Sequence, residues 1–199
     1  MTGLLTALED VPLLPVLRVS SAEQALALTG RLTDAGLRVI EFTATTPGWA
    51  DSLAAARSHW PQVVFGAGTV LTQADAERAV SAGAQFLVSP YPAPQVRPVA
   101  TEAGLAFLEG GFTPAEVADA ASRGPAKLFP AHVGGPSYLS SLRAVLPQAK
   151  IVPTGGIGLA DIGAWLTAGA FAVGVGSDLT APGDIAERVQ RVLAGVRAA

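Results

Sequence analysis

Eight short runs rich in β-branched and other apolar residues recur along the chain, roughly 20 to 25 residues apart. The stretches between them carry helix signals, such as "SSAEQALALTGRLTDAG", which offers Ser20 or Ser21 as an N-cap and Gly36 as a stop. Short connections between strands and helices favour parallel strands joined by right-handed crossovers. The predicted strands lie within residues 13–19, 37–44, 63–70, 84–90, 105–111, 126–131, 150–156 and 170–177.

These strand–helix units predict an α/β fold of the TIM-barrel type, a closed (β/α)8 barrel. An open, doubly wound sheet is the alternative that the same alternation allows. The opening "MTGLLTALEDV" predicts a short N-terminal helix packed under the barrel. No linker or low-complexity tract interrupts the chain, so we expect a single barrel domain over residues 1–199.

Charge and composition exclude several classes of partner. The chain has 16 acidic and 13 basic residues and no local Lys/Arg cluster, which argues against a nucleic-acid partner. No apolar run is long enough to span a membrane, and the start of the chain lacks the basic residues of a secretory signal. Cysteine is absent, so disulfides are excluded, and the cytoplasm is the default location. The two histidines, His59 and His132, lack the spacing of metal ligands, so we expect no metal site.

Lys127 is one of only two lysines, and it lies in an apolar run, "PAKLFPA". Strand alternation points Lys127 and Phe129 into the barrel and Leu128 outward. Burial lowers the pKa of a lysine, and the neutral amine can attack a carbonyl to form a Schiff base. A salt-bridged core lysine is the competing interpretation, and the residues alone do not separate the two. The other lysine, Lys150, begins strand seven at the non-catalytic end, where we expect a surface charge.

The run "LRVIEFTA" places a glutamate among apolar residues. Glu41 points into the barrel if Ile40 and Phe42 face the helices. A carboxylate there can act as a proton shuttle for Lys127, and a structural ion pair is the alternative. The same alternation points Arg18 inward at the end of strand one.

Two glycine-rich segments, "PTGGIG" and "VGVGSDL", end strands seven and eight. Glycine lets backbone N–H groups approach phosphate oxygens, and TIM barrels often bind phosphate at this corner. Occurring together in these two positions, the segments predict a phosphate site. A further segment, "GAGTV", adds the Thr69 hydroxyl at the end of strand three.

Taken in order, the motifs "VIEFT", "GAGTV", "AKLFPA", "PTGGI" and "GVGSDL" are similar to those of a known enzyme family. The chain resembles the pyruvate-dependent class I aldolases that cleave 2-keto-3-deoxy-6-phosphosugar acids, a family shared with 4-hydroxy-2-oxoglutarate aldolase. The resemblance covers nearly the whole chain. It implies a carbon–carbon lyase that releases pyruvate and glyceraldehyde 3-phosphate. It also implies a homotrimer that needs no metal or organic cofactor.

The resemblance assigns roles to matching positions. Lys127 is similar to the Schiff-base lysine, Glu41 to the general acid/base and Thr69 to a ligand of the pyruvate carboxylate. The substrate-binding set is completed by Arg18, Phe129 and Thr154. The phosphate cradle, which works largely through backbone N–H groups, is expected at Gly155, Gly156, Gly176 and Ser177.

The chain departs from the family pattern in ways that favour one branch. The gluconate-type enzymes have an arginine where "EFTATT" has Thr45. The galactonate-type branch also lacks that arginine, and its motifs N-S-P-x-W and G-P-x-Y are similar to "TTPGW" and "GGPSY" here. Because the galactonate-type enzymes carry an arginine at the position of Arg18, we expect Arg18 to bind the pyruvate carboxylate. Glu109 stands where the family usually has proline, and His132 where it often has glutamate or serine; we expect loop variation at both.

Three other functions remain compatible with these residues. The first is 4-hydroxy-2-oxoglutarate aldolase, which forms pyruvate and glyoxylate. The second is a sugar-phosphate isomerase or epimerase, in which Lys127 acts only through its charge. The third is a phosphate-binding barrel that keeps the pocket without turnover.

Overall fold

The computed structural model describes residues 2–181 and 184–197. Within them, parallel strands alternate with helices along the chain. The predicted fifth strand is divided into two short strands by Glu109. The strands are β1 (Leu13–Leu17), β2 (Val39–Thr43), β3 (Val64–Gly68), β4 (Phe86–Val88), β5 (Ala106–Leu108), β6 (Gly110–Gly111), β7 (Ala126–Leu128), β8 (Ile151–Pro153) and β9 (Val173–Val175).

The strands close into a barrel. One sheet has the order β5-β4-β3-β2-β1-β9, and the other has the order β6-β7-β8. The two sheets join through Glu109 on one side and through a parallel bridge between Thr154 and Gly174 on the other. The Phe171 N–H also donates to the Ile151 carbonyl at 2.9 Å across this second seam. The predicted (β/α)8 barrel is therefore confirmed, and the open sheet was the wrong alternative.

Each strand of the barrel is followed by a helix that packs on the outside, apart from β5, which leads directly into β6. Ser21 is the N-cap of the first of these helices, where its side chain accepts from the Gln24 N–H. Gly36 follows that helix with φ +102°, a left-handed conformation that glycine adopts without strain. The helices are α1 (Thr2–Asp10), α2 (Ala22–Asp34), α3 (Trp49–His59), α4 (Gln73–Ser81), α5 (Arg97–Glu102), α6 (Pro114–Ala121), α7 (Gly135–Val145), α8 (Ile162–Thr167) and α9 (Ile185–Arg197).

Helix α1 closes the end of the barrel opposite the candidate site. Leu4 and Leu8 are buried in one apolar cluster with inward-facing strand residues, among them Leu14, Val39 and Val152. The predicted N-terminal helix under the barrel is thus confirmed. Among the described residues, no helix has the length and apolar character needed to cross a membrane.

Lys150 precedes β8 at this same closed end. Its Nζ lies 2.7 Å from Glu9 Oε1 of α1, and both side chains are about half exposed. The Lys150 charge is therefore at the surface, as the sequence predicts, where it pairs with the N-terminal helix.

The side chains of the strands sort onto two faces by alternation. Ile40, Phe42 and Leu128 belong to the apolar layer between strands and helices. Glu41 and Lys127, which alternate with them, are buried without belonging to that layer. Burial of one face against helices therefore leaves these two polar side chains inside the barrel.

Candidate active site

Glu41 lies in the middle of β2, with its side chain 1% exposed. The neighbouring strand β3 makes room for it, because a Cβ atom added at Gly68 would stand 1.7 Å from Glu41 Oε1. A Cβ atom at Gly66 would likewise stand 2.4 Å from the Phe86 ring. The two glycines of "GAGTV" therefore leave the inner face of β3 open for the Glu41 carboxylate and for the Phe86 ring.

Lys127 lies in the middle of β7, with its side chain 6% exposed. Its Nζ is 3.9 Å from Glu41 Oε1 and 5.4 Å from the centre of the Phe129 ring. The Lys127 backbone N–H donates to the Glu109 carbonyl at 3.0 Å, which ties β7 to the divided fifth strand. The fold thus brings an amine and a carboxylate together inside the barrel, from strands far apart in the sequence.

Burial controls the ionisation of this pair. Among the described residues, neither carboxylate oxygen of Glu41 has a hydrogen-bond partner. Desolvation therefore raises the pKa of Glu41, against the opposing effects of Lys127 and Arg18. Desolvation also lowers the pKa of Lys127, which Glu41 opposes and Arg18 reinforces. Both directions favour the neutral forms, an amine that can act as a nucleophile and a carboxylic acid that can donate a proton.

Arg18 and Thr69 meet at the open end of the barrel. Arg18 follows β1 and is exposed, and its Nη2 donates to Thr69 Oγ1 at 3.3 Å. Thr69 follows β3 with φ +58°, a left-handed backbone conformation that β-branched residues rarely adopt. Such strain costs on the order of 1–3 kcal/mol and is concentrated at functional sites. The structure therefore brings the two predicted carboxylate ligands together beside the Lys127–Glu41 pair, although Arg18 lies at the mouth rather than in the interior.

Thr45, which stands where the gluconate-type arginine would be, belongs to a chain of hydroxyl groups. Its Oγ1 donates to Thr43 Oγ1 at 3.2 Å, and Thr43 Oγ1 donates to the Leu17 carbonyl at 2.9 Å. These bonds tie the loop after β2 to the end of β1, directly before Arg18. Thr45 is exposed at the open end of the barrel. Its hydroxyl group carries no charge that could replace the arginine of the gluconate-type enzymes.

Phe129 and Thr154 lie at neighbouring strand ends. The Phe129 ring packs over Gly155, since a Cβ atom added there would stand 2.8 Å from the ring. Thr154 is buried after β8, and its hydroxyl packs against Gly174 and donates to the Val152 carbonyl at 3.4 Å. Phe129 therefore lies between Lys127 and the glycine-rich loop, whereas the Thr154 hydroxyl is bound within the barrel seam.

The predicted phosphate loops adjoin each other at the open end. Gly155 and Gly156 have φ +97° and +69°, which a residue with a side chain would adopt only with strain. An open recess of about 370 Å³ separates this loop from the one after β9, and its lining includes Gly156 and Ser177. Of the four predicted phosphate residues, Gly156 and Ser177 line this recess, and the backbone N–H of Gly156, which has no side chain to shield it, can reach an anion there.

Asp178 joins the two phosphate loops, a role that sequence reasoning missed. Its Oδ2 accepts from the Leu159 N–H at 2.7 Å, across the recess, and its other oxygen pairs with Arg188 of α9. The Leu159 hydrogen bond and Arg188 hold the pKa of Asp178 below its usual range. The motif "GVGSDL" contains this residue, but its partner Leu159 lies in another loop, so only the folded chain reveals the contact.

Glu109 is a buried structural residue, which corrects the expectation of loop variation. Its carboxylate accepts from the Ala93 N–H at 2.7 Å and lies 2.8 Å from both Arg97 and Arg123. Asp119 pairs with the same two arginines, and its pKa is lowered to about 2, first by its hydrogen bond from Arg123. The Glu109 side chain therefore fastens α5 and α6 to the outside of the barrel, away from Lys127.

Comparison with known proteins identifies the family. Residues 5–194 match the family model for KDPG and KHG aldolase. A probable 2-dehydro-3-deoxy-6-phosphogalactonate aldolase of Rhizobium meliloti is 36% identical over 191 residues, which cover 92% of this chain and 90% of that protein. A 2-dehydro-3-deoxy-phosphogluconate aldolase of Treponema pallidum is 36% identical over 165 residues, which cover 81% of this chain and 79% of that protein.

A solved structure adds the chemistry of a relative. The crystal structure of KDPG aldolase from Legionella pneumophila, with pyruvate captured at low pH as a covalent carbinolamine intermediate, has a TM-score of 0.84 to this chain. The two are 28% identical, and the match covers 96% of this chain and 97% of that one. A carbinolamine is the adduct of an amine and a carbonyl that precedes a Schiff base. The chain therefore belongs to the KDPG and KHG aldolase family and is a class I aldolase, a carbon–carbon lyase.

Proposed function

We propose that this aldolase cleaves a 2-keto-3-deoxy-6-phosphosugar acid to pyruvate and glyceraldehyde 3-phosphate, with Lys127 as the Schiff-base residue. The observation that carries the proposal is the buried Lys127 amine, 3.9 Å from the buried Glu41 carboxylate. The Arg18–Thr69 contact and the glycine loops lie at the same open end of the barrel. A substrate held by its carboxylate at one place and by its phosphate at the other would present its C2 carbonyl to Lys127.

The proposed reaction begins when the neutral Lys127 amine attacks C2 of the keto acid. Glu41 donates a proton to the departing oxygen, water is lost, and a protonated imine forms. Glu41, now a carboxylate, removes the proton of the C4 hydroxyl, and the C3–C4 electron pair moves toward the imine nitrogen. Glyceraldehyde 3-phosphate leaves, and the remaining enamine is protonated at C3 and hydrolysed to pyruvate and free Lys127.

The geometry favours a proton shuttle over a structural ion pair at Glu41. Buried charged pairs that stabilise a fold are hydrogen-bonded, with nitrogen–oxygen distances of about 2.7–2.9 Å. The Lys127–Glu41 distance is 3.9 Å, and neither Glu41 oxygen accepts a hydrogen bond among the described residues. A carboxyl group left unsatisfied beside an amine is poised to exchange a proton with a bound substrate.

The proposed chemistry includes no metal or organic cofactor, because the protonated imine itself withdraws the electrons of the breaking bond. Across the part of the chain that the structure describes, no group of three or more His, Cys, Asp or Glu side chains is arranged to hold a metal ion. The homotrimer and the cytoplasmic location expected from the sequence also belong to this proposal.

We place the substrate in the galactonate series. One support is Thr45, which occupies the position of the arginine that the gluconate-type enzymes carry. The other is the sequence match to the aldolase of Rhizobium meliloti, which covers more of this chain than the match to the aldolase of Treponema pallidum. The test is a kinetic comparison of the 6-phosphogalactonate and 6-phosphogluconate forms of the substrate, with 4-hydroxy-2-oxoglutarate as a third. A higher kcat/KM for the gluconate form would reassign the branch, and a higher value for 4-hydroxy-2-oxoglutarate would reassign the substrate class.

Arg18 is the proposed partner of the pyruvate carboxylate. A charge-assisted hydrogen bond is worth about 1.5–3 kcal/mol, so Arg18→Ala should weaken binding of both pyruvate and substrate by roughly 10- to 150-fold. Arg18→Lys should recover only part of this affinity, because the planar fork of donors is lost. The measurement is the pyruvate concentration that gives half-maximal trapping by borohydride, together with KM for the substrate.

Arg191→Ala is the matched control for this prediction, since Arg191 lies on the exposed face of α9 and, among the described residues, forms its ion pair with Glu187 one turn away. Its pyruvate affinity should equal that of the unaltered enzyme. If Arg18→Ala binds pyruvate normally, Arg18 has a packing role and the carboxylate is bound elsewhere.

A further inference from the structure

The Gly155 carbonyl is held by two donors from a single residue, His132. The backbone N–H of His132 lies 3.1 Å from this oxygen, and the ring Nδ1 lies 3.2 Å from it. A backbone carbonyl can only accept, so Nδ1 carries the proton in this contact. His132 therefore directs the carbonyl of the Gly155–Gly156 peptide toward the loop after β7.

The orientation of that carbonyl determines where the Gly156 N–H points. In a trans peptide the C=O and N–H groups lie on opposite sides of the chain. With its carbonyl turned toward His132, the peptide directs the Gly156 N–H away from the loop after β7. The recess lined by Gly156 and Ser177 lies between this peptide and the loop after β9.

The His132 ring also packs directly on the glycine loop. A Cβ atom added at Gly156 would stand 2.6 Å from the ring, and Gly156 has φ +69°. Neither a side chain at 156 nor an ordinary backbone conformation is compatible with this arrangement. The ring therefore supports one of the peptides whose N–H groups the phosphate proposal requires, although His132 itself is exposed.

From these contacts we propose that His132 is a positioning residue for phosphate recognition, which holds the Gly155–Gly156 peptide with its N–H turned toward the phosphate. This inference rests on the proposed function, since it assigns the phosphate of that substrate to the glycine loop. It gives a role to a residue that differs from the glutamate or serine often found at this position. It also predicts that His132 affects the phosphate end of the substrate alone.

The test uses the condensation direction, with pyruvate and either glyceraldehyde 3-phosphate or glyceraldehyde as the acceptor. His132→Phe keeps a flat ring over Gly156 and removes the Nδ1 donor. Because a net hydrogen bond is worth about a 3- to 10-fold change in an equilibrium, kcat/KM for glyceraldehyde 3-phosphate should fall by that factor. The value for glyceraldehyde and the trapping of pyruvate should not change. His132→Asn, which retains an N–H donor, should recover most of the loss.

His59→Phe is the matched control, because His59 is exposed at the end of α3 and packs against Trp60. An equal loss with both acceptors, or no loss with either, would overturn the role of His132. An unaltered enzyme that does not prefer glyceraldehyde 3-phosphate to glyceraldehyde would overturn the phosphate assignment itself. These outcomes separate the failure of the inference from the failure of the proposed function.

Discussion

Lys127→Arg is expected to reduce aldol cleavage to background. A guanidinium stays protonated at any pH that the fold survives, so it cannot attack a carbonyl to form an imine. The variant places a permanent positive charge beside Glu41, so a loss of turnover reports the missing nucleophile and cannot be ascribed to a missing charge. Lys150→Arg is the control, because Lys150 lies at the closed end of the barrel and pairs with Glu9. It should retain full turnover.

The same residue can be identified chemically. Borohydride reduces the imine between pyruvate and a lysine to a stable secondary amine. Treatment of the unaltered enzyme with pyruvate and borohydride should therefore add a three-carbon unit to Lys127 and abolish activity. Peptide mapping by mass spectrometry locates the adduct. An adduct on Lys150, or no adduct at all, would contradict the proposed mechanism and would favour the isomerase or epimerase interpretation.

The trapping reaction should also depend on pH in a specific direction. Burial lowers the pKa of Lys127 from an ordinary value of 10.5, and Arg18 acts in the same direction against Glu41. The reactive amine is the neutral form, which is present above this lowered pKa and is lost as the pH falls through it. The trapping rate should therefore reach its plateau at a lower pH than the rate of an exposed amine. A rate that still rises steeply near pH 10 would show an unperturbed lysine.

Glu41→Gln is expected to lower kcat by about 10²- to 10⁴-fold, the usual contribution of a general acid/base. The amide keeps the shape that fits against Gly68 but can neither donate the proton to the departing oxygen nor remove one from the C4 hydroxyl. The measurement is kcat at saturating substrate, with circular dichroism to verify folding. Near-normal turnover would show that Glu41 is structural.

The stability of this variant provides a second readout. Burial of an ionisable carboxyl group without a hydrogen-bond partner costs more free energy of folding than burial of a neutral amide of the same shape, so Glu41→Gln should leave the melting temperature unchanged or raise it. Glu109→Gln is the matched control, because Glu109 is equally buried but binds Arg97 and Arg123 on the outside of the barrel. Its melting temperature should fall while kcat is retained. The two carboxylates are thereby distinguished, one by its role in turnover and the other by its role in stability.

Alternation along the chain was sufficient to predict the barrel and the direction of the polar side chains within its strands, whereas Arg18, just beyond β1, was predicted inward and lies exposed at the mouth. A strand with one face against helices must turn every second residue into the barrel, so Glu41 and Lys127 follow from their apolar neighbours. The helix starting at Ser21 and the stop at Gly36 are equally local, because an N-cap and a left-handed glycine act within one turn of the helix. The motif resemblance then named the family, and the comparisons confirm it.

The roles of other residues depend on contacts between segments that are distant in the sequence. No pattern within one segment indicates which residues of another segment it will contact after folding. The sequence does not distinguish Gly68 from other glycines, but in the structure its missing side chain leaves the space that the Glu41 carboxylate occupies. From the sequence, Glu109 and His132 are expected to be loop variation. In the structure, Glu109 pairs with Arg97 and Arg123. The His132 ring contacts the Gly155 carbonyl. The sequence by itself determined which strand residues face the inside of the barrel, since alternation along a strand is a property of the backbone. The tertiary structure alone decided what each residue touches there, since packing depends on every neighbouring strand at once.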